Sequence, residues 1–284
     1  MLTKDFKWNV TYTFTKNNNI VESLYDDVKS TTIYGLSQGP QLDIVVGEPL
    51  GVWRDYALET VTDENSEFYG KVIVNGTTGY PEVSSSVKEI LGKADPEFTM
   101  GLNNVFSYKN LSLGVSFDYR KGGLMYSATK SIAMFTGNDE STIYNDRDAW
   151  VYPNSVMVVG VDADGNDVYA ENNIPVDGYY NMNGVHYSNY NYVQYRKDLL
   201  DKTYLKLREL NLTYKLPSKL FENVKWLSGA EVSLVGRNLL MWTPNQGLID
   251  PDTTNYGNDL TSQFGEFYSA PSVRTFGGSV KIVF

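Results

Sequence analysis

Cysteine is absent from this 284-residue chain, which excludes a disulfide framework, a thiolate metal site and a cysteine nucleophile. The absence also suits a protein that crosses an oxidising compartment unfolded. Basic charge is scarce: 24 Lys and Arg stand against 34 Asp and Glu, for a net charge of −10, so there is little with which to neutralise the phosphates of a nucleic acid. The single histidine, His186, excludes a metal site built from several imidazoles; beside Tyr187, Tyr190 and Tyr192 it reads as a loop residue. Missing as well is any run of roughly 20 apolar residues, the length a membrane-spanning helix requires, and the mean hydropathy is −0.34. A helical membrane protein is thereby excluded. A β-barrel is not, because its strands turn only every second residue to lipid. The opening Met1 to Phe6 has no apolar signal core and leads directly into a strand pattern, so for an exported protein the expectation is a chain truncated at its N-terminus.

What is present is alternation with a period of two. Phe6, Trp8, Val10, Tyr12 and Phe14 alternate with Lys7, Asn9, Thr11 and Thr13, which puts an apolar row and a polar row on opposite faces of one strand. Lys16-Asn17-Asn18-Asn19 reads as a short turn. A second candidate strand lies within 44–59 and carries Trp53, Tyr56 and Leu58, with an irregular start at Gly47, Pro49 and Gly51. Over 97–121, Phe98, Met100, Leu102, Phe106 and Tyr108 share a face, the chain reverses at Lys109-Asn110, and Leu111, Leu113, Val115, Phe117 and Tyr119 resume the alternation. Strands are further expected at 203–215, 230–238 and 274–284. In the first of these the apolar phase slips between Leu207 and Leu210, the mark of a bulge near Glu209. The stretches 60–96, 122–202 and 243–270 are long and polar, so long loops face one side and short turns the other. The fold class expected is all-β: a partial antiparallel transmembrane β-barrel of about seven C-terminal strands with long extracellular loops.

A soluble β-sandwich shares this alternation, and a secreted or surface sandwich that binds carbohydrate is the alternative. The terminus favours the barrel. Phe276, Gly278, Val280, Ile282 and Phe284 occupy every second position up to the last residue, whereas the end of a soluble domain frays in water. Phe276, Val280, Ile282 and Phe284 are accordingly the candidate terminal-strand residues for barrel assembly, and Leu111, Leu113, Val115 and Phe117 the candidates for facing lipid.

Three stretches invite a chemical reading. Asp162-Ala163-Asp164-Gly165-Asn166-Asp167 spaces oxygen ligands as a calcium loop does, but the glycine and glutamate of an EF-hand are replaced by Asp167 and Asn173. Valines on both sides suggest a hairpin instead. Asp250-Pro251-Asp252 could be a carboxylate pair for glycoside cleavage, yet nothing in it sets the separation such a pair needs, and it reads as a turn. No catalytic residue, metal site or cofactor is expected. The abundant aromatics, 22 Tyr, 12 Phe and 5 Trp, suit membrane girdles and can stack on sugar rings. Trp150, Tyr152, Tyr179, Tyr180 and Tyr256 are the candidate ligand-contacting loop residues.

The segments DPEFTMGLNNVFSYKNLSLGVSFDYRKGG (95–123), YLKLRELNLTYKLP (204–217), VSLVGRNLLMWT (232–243), GLIDPDTTNYG and PSVRTFGGSVKIVF together resemble the SusC/RagA-like TonB-dependent transporters of Gram-negative outer membranes. That resemblance implies that residues 1–284 are the C-terminal part of a receptor barrel, with the N-terminal plug and earlier strands absent. It implies import of glycans or peptides, a SusD-like surface lipoprotein as partner, and contact with the TonB complex through the missing N-terminal region.

Overall fold

The structure is a computed structural model that describes residues 5–35, 40–176, 198–224, 226–245, 249–253, 255 and 264–284. In chain order its strands are β1 Phe6–Thr15, β2 Ser30–Gly35, β3 Gln41–Val45, β4 Val52–Leu58, β5 Val72–Val74, β6 Val83–Lys93, β7 Phe98–Tyr108, β8 Leu111–Lys121 and β9 Leu124–Ser127. Helix α1 follows at Ala128–Phe135. The remaining strands are β10 Trp150–Val151, β11 Ser155–Val161, β12 Asp167–Glu171, β13 Pro175–Val176, β14 Leu199–Asp201, β15 Tyr204–Lys215, β16 Gly229–Trp242, β17 Gly265–Glu266 and β18 Thr275–Val283. The fold is all-β and mostly antiparallel.

The largest sheet has the order β1-β7-β8-β15-β16-β18, and every neighbouring pair in it is antiparallel. Residues paired across a ladder point to the same side, so register decides what each face carries. Trp8, Phe106, Leu113, Leu212, Leu234 and Gly278 form one continuous row, and Val10, Asn104, Val115, Leu210, Gly236 and Phe276 form the next. The other face is polar: Ser107, Ser112, Thr213, Ser233 and Ser279 make one of its rows, with Ser107 Oγ 3.0 Å from Ser112 Oγ and Thr213 Oγ1 2.8 Å from Ser233 Oγ. Asn104 is a polar residue within the apolar face, and Trp8 Nε1 donates to its Oδ1 at 3.1 Å.

Two expected irregularities hold these rows in phase. The β7–β8 hairpin closes over Lys109 and Asn110, with Lys109 in the left-handed region at φ 50°. In β15 the pairing shifts between Leu207 and Glu209 against both neighbours. Arg208 is the extra residue, and the bulge lets Leu205 and Leu207 share a face with Leu210, Leu212 and Tyr214 although their sequence parity differs.

Two expectations fail. The candidate strand within 44–59 is absent from the large sheet, which holds six of the seven strands read from the sequence; β1 pairs directly with β7 over its whole length and leaves no place between them. That candidate is instead a hairpin, β3 and β4, turned by Gly47 and Gly51 at φ 90° and 79°, and it belongs to a four-stranded sheet of order β2-β3-β4-β6. Nor is 16–19 a short turn, because the connection from β1 to its partner runs from residue 16 to 97. Asn19 is pinned there, accepting from Leu50 N at 2.7 Å and donating to Asp95 at 3.3 Å. The short connections, 109–110 and 216–228, therefore lie at one end of the sheet, and 16–97, 122–203 and 243–274 at the other. The sheet is open, with β1 and β18 at its edges.

The hydrophobic core is not on this sheet. Leu42, Trp53, Ala94, Tyr126, Ala128 and Phe264 form it among the long connections, where Phe264 lies within 5.7 Å, ring centre to ring centre, of Trp53, Tyr126 and Phe267. Trp53 satisfies its indole by donating to Leu124 O at 3.0 Å, as a buried Trp N–H must. β9 is the hinge of this packing: it pairs with β14 and, in parallel, with β17. Gly265 sits so close to the Tyr126 carbonyl that a Cβ would collide with the backbone oxygen. Gly265→Ala is therefore expected to cost about 1–3 kcal/mol as overpacking, seen as faster proteolysis of the 243–274 connection, whereas Gly160→Ala, with open space around it, should leave that rate unchanged.

Candidate functional site

On the polar face, at the end where the long connections lie, β15 carries a charged constellation that the sequence reading missed. Lys206 is almost wholly buried and donates to Asp250 and to Asp252 Oδ2, the latter at 2.7 Å. Arg208, turned to this face by the bulge, donates from Nε and Nη2 to Asp118 Oδ2 on β8 at 3.0 and 2.6 Å and also reaches Asp252. Tyr204 adds its hydroxyl to Asp118 at 3.0 Å. The Asp250-Pro251-Asp252 stretch is the turn expected of it: Asp252 N donates to Asp250 Oδ1 and Thr253 N to Asp250 O, both at 3.0 Å. Its carboxylates grip Lys206 and Arg208 and so tie the connection to the sheet; they do not face each other across a substrate-sized gap. The only sequence signal for the constellation was two cations at Lys206 and Arg208 beside a phase slip.

A second anchor lies beside it. Glu266 is fully buried, and its two oxygens accept from Ser127 Oγ, Thr129 N at 3.0 Å, Thr129 Oγ1 at 2.8 Å and Ser269 N at 3.3 Å. Those donors surround the first turn of α1, where a carboxylate is also favoured by the helix dipole. Ser127 is the N-cap, its Oγ accepting from Lys130 N at 3.0 Å. Gly137 at φ 75° ends the helix, with Gly137 N bonded to Met134 O and Asn138 N to Ala133 O. Between the two anchors opens a cavity of about 800 Å³ whose lining includes Asn238, Met241, Asp250, Glu266, Ser272 and Arg274.

The residues singled out from the sequence fall into three groups. Leu111, Leu113, Val115 and Phe117 lie on the apolar face together with Phe276, Val280 and Ile282; Leu111, Phe117, Phe276, Val280 and Ile282 are exposed, and Leu113 and Val115 are partly so. Phe284 is exposed and stacks on Trp226 at 5.7 Å between ring centres. Trp150 and Tyr152 meet with tilted rings at 5.9 Å, Tyr144 meets Trp150 edge-on at 5.1 Å, and neither candidate is among the described residues that line the cavity. Tyr179, Tyr180 and Tyr256 lie outside the described residues, as does His186. The 162–167 stretch is the hairpin expected, joining β11 to β12 through Asp162, whose Oδ1 accepts from Asp164 N and Asn166 N at 2.9 Å each.

The anchor at Asp252 responds to acid. Burial alone would raise its carboxyl, but the hydrogen bonds and charge of Lys206 and Arg208 outweigh that and hold it below the ordinary carboxylate value. Its contribution is therefore present above about pH 4, near the unfolded value, and is lost as pH falls through the depressed one. Lys206→Met, which leaves two carboxylates without their buried ammonium, is expected to cost about 3–5 kcal/mol and to expose the 243–274 connection to protease at neutral pH. Wild-type protein should show that exposure only in acid.

No family model matches the chain. Two curated relatives, both from Formosa agariphila, align with nearly all of it: TonB-dependent receptor P3, 26% identical over 96% of this chain, and TonB-dependent receptor P26, 22% identical over 99%. The chain spans only 26% and 28% of their lengths. Among solved structures, the RagAB peptide transporter superposes on 99% of the chain with a TM-score of 0.63 at 18% identity, and the RagAB peptide importer in its open-open state on 100% with the same score at 21%. These cover 28% and 27% of the matched chains. The resemblance read from the sequence thus meets relatives of the same kind and a fold of the same kind: over nearly all of its length the chain is similar to TonB-dependent receptors, and it spans about a quarter of theirs.

Proposed function

We propose that this chain is a sector of the barrel wall of an outer-membrane TonB-dependent importer for large nutrients, glycans or peptides, and that residues 1–284 form the C-terminal part of that barrel. One observation carries the reading: a six-stranded sheet presents a predominantly apolar face that nothing among the described residues covers. Trp8, Val10, Tyr12 and Phe14 are each about half exposed, and Phe276 is 78% exposed. A soluble sandwich lays a second sheet on such a face, and a solvated face this large and apolar aggregates. Hydrocarbon is the remaining solvent that suits it.

The distribution of aromatics supports the same reading. Phe14, Tyr119 and Trp242 belong to a row near the long connections, and Phe6, Tyr108 and Tyr214 to a row near the short ones. Eight residues of strand separate these rows on β7, about 27 Å at 3.4 Å per residue. Tilt brings that to somewhat over 20 Å, comparable with the roughly 25 Å apolar band of outer-membrane barrels between aromatic girdles. The open edges at β1 and β18 then require further strands, because backbone groups left unpaired in lipid cost several kcal/mol each. The plug and the earlier strands belong to that remainder. A SusD-like surface lipoprotein and the TonB complex are the partners this reading brings with it, and the long connections face outside.

Adjacent residues on opposite faces provide the test. With these strands expressed as part of the complete barrel in a Gram-negative outer membrane, Val115→Arg is expected to cost about 2–4 kcal/mol on a lipid-facing position near the midplane and to deplete the folded, heat-modifiable species. Ser116→Arg, one residue along and on the polar face, should assemble normally. Equal tolerance of the two arginines would sink the reading.

A further inference from the structure

We infer that the cavity beside β16 and β18 binds the carboxylate of an anionic ligand through Arg274. The inference rests on the uptake reading above and names the chemical class of ligand that this part of the wall recognises.

At about 800 Å³ the cavity has the size of a small-molecule or oligomer subsite. Among the described residues, three charged ones line it: Asp250, Glu266 and Arg274. Two of these are spent within the chain. Asp250 is held by the buried Lys206 ammonium and by Asp252 N. Glu266 has two donors on each oxygen and lies at the N-terminus of α1. Both carboxylates are thus offset by cationic or dipolar partners and have little left to offer a ligand.

Arg274 differs, having no ion pair and no hydrogen bond among the described residues. The neighbouring backbone is nevertheless fixed, since Asn238 Nδ2 donates to Val273 O at 3.4 Å and Thr275 pairs with Arg237. Arg237, the register partner of Thr275, is paired with Glu209 at 2.9 Å. Arg274 is exposed at the edge of a cavity whose described acids are already partnered, on a held backbone, and its guanidinium retains a planar fork of donors suited to a carboxylate. Among the described residues no aromatic side chain lines the cavity, so none of them offers the stacking that recognises neutral sugar rings. Recognition here is ionic, and the carboxylate can belong to a sugar acid or to a peptide terminus.

The test uses the complete barrel that contains these residues, purified in detergent from outer membranes, and calorimetric titration with two matched pairs: tetragalacturonate against its methyl ester, and tetra-alanine against its C-terminal amide. In at least one pair the acid should bind roughly fivefold more tightly than the neutral form, the upper end for a solvent-accessible ion pair. Arg274→Gln should abolish that difference, and Arg237→Gln should preserve it. The pair that shows the preference identifies the source of the carboxylate. Equal binding of acid and neutral forms, binding of none of the four, or a preference that survives Arg274→Gln overturns the inference. The uptake reading is judged separately, by the Val115 and Ser116 variants, so either can fail without the other.

Discussion

Cross-strand register turns the alternation along six separate strands into two continuous surfaces, because side chains paired across an antiparallel ladder leave the sheet on the same side. A slip of one residue in any strand would carry its apolar set to the polar face. The structure shows where such a slip is absorbed. Between Leu207 and Leu210 the parity of the apolar residues changes, and the bulge at Arg208 takes up the extra residue. Opposite it, β16 departs from regular pairing too, with Asn238 at φ 52° between Arg237 and Leu240.

The same bulge explains the polar face. A regular strand would place Lys206, Arg208 and then Leu210 on one side; the irregular one puts Lys206, Arg208 and Glu209 there and returns Leu210 to the apolar rows. Concentrated cations then meet Asp118 from β8 and Asp250 and Asp252 from the following connection. Buried pairs of this sort contribute little net stability but are costly to break. Their effect is to specify where the 249–253 turn rests. Glu266 does the same for the next stretch of that connection by capping the α1 end, and the cavity lies between the two points of attachment.

Burial in this chain is inverted relative to a soluble domain. The large sheet leaves its apolar face open, while the buried core around Trp53 and Phe264 is assembled entirely from the long connections. Those connections have a core, a helix and sheets of their own. A sheet that is apolar on one face and polar on the other, with packed connections at one end, is the arrangement expected when the two sides of a sheet meet two different solvents.

Alternation, the Lys109-Asn110 reversal and the slip in β15 were legible because each depends on residues within a few positions of one another, and backbone geometry converts that spacing directly into facing. The apolar rows around Leu113 and Phe276, and their relation to the polar rows, followed from sequence alone. The placement of 44–59 did not. Trp53 and Tyr56 carry a strand pattern that fits either sheet, and only the direct pairing of β1 with β7 excludes it from the larger one. The charged constellation and the Glu266 anchor were likewise decided by tertiary structure, since Lys206 meets Asp250 across 44 positions and Ser127 meets Glu266 across 139. Nothing local marks such partners, because a buried charge is selected by what the fold brings to it and not by its neighbours in the chain.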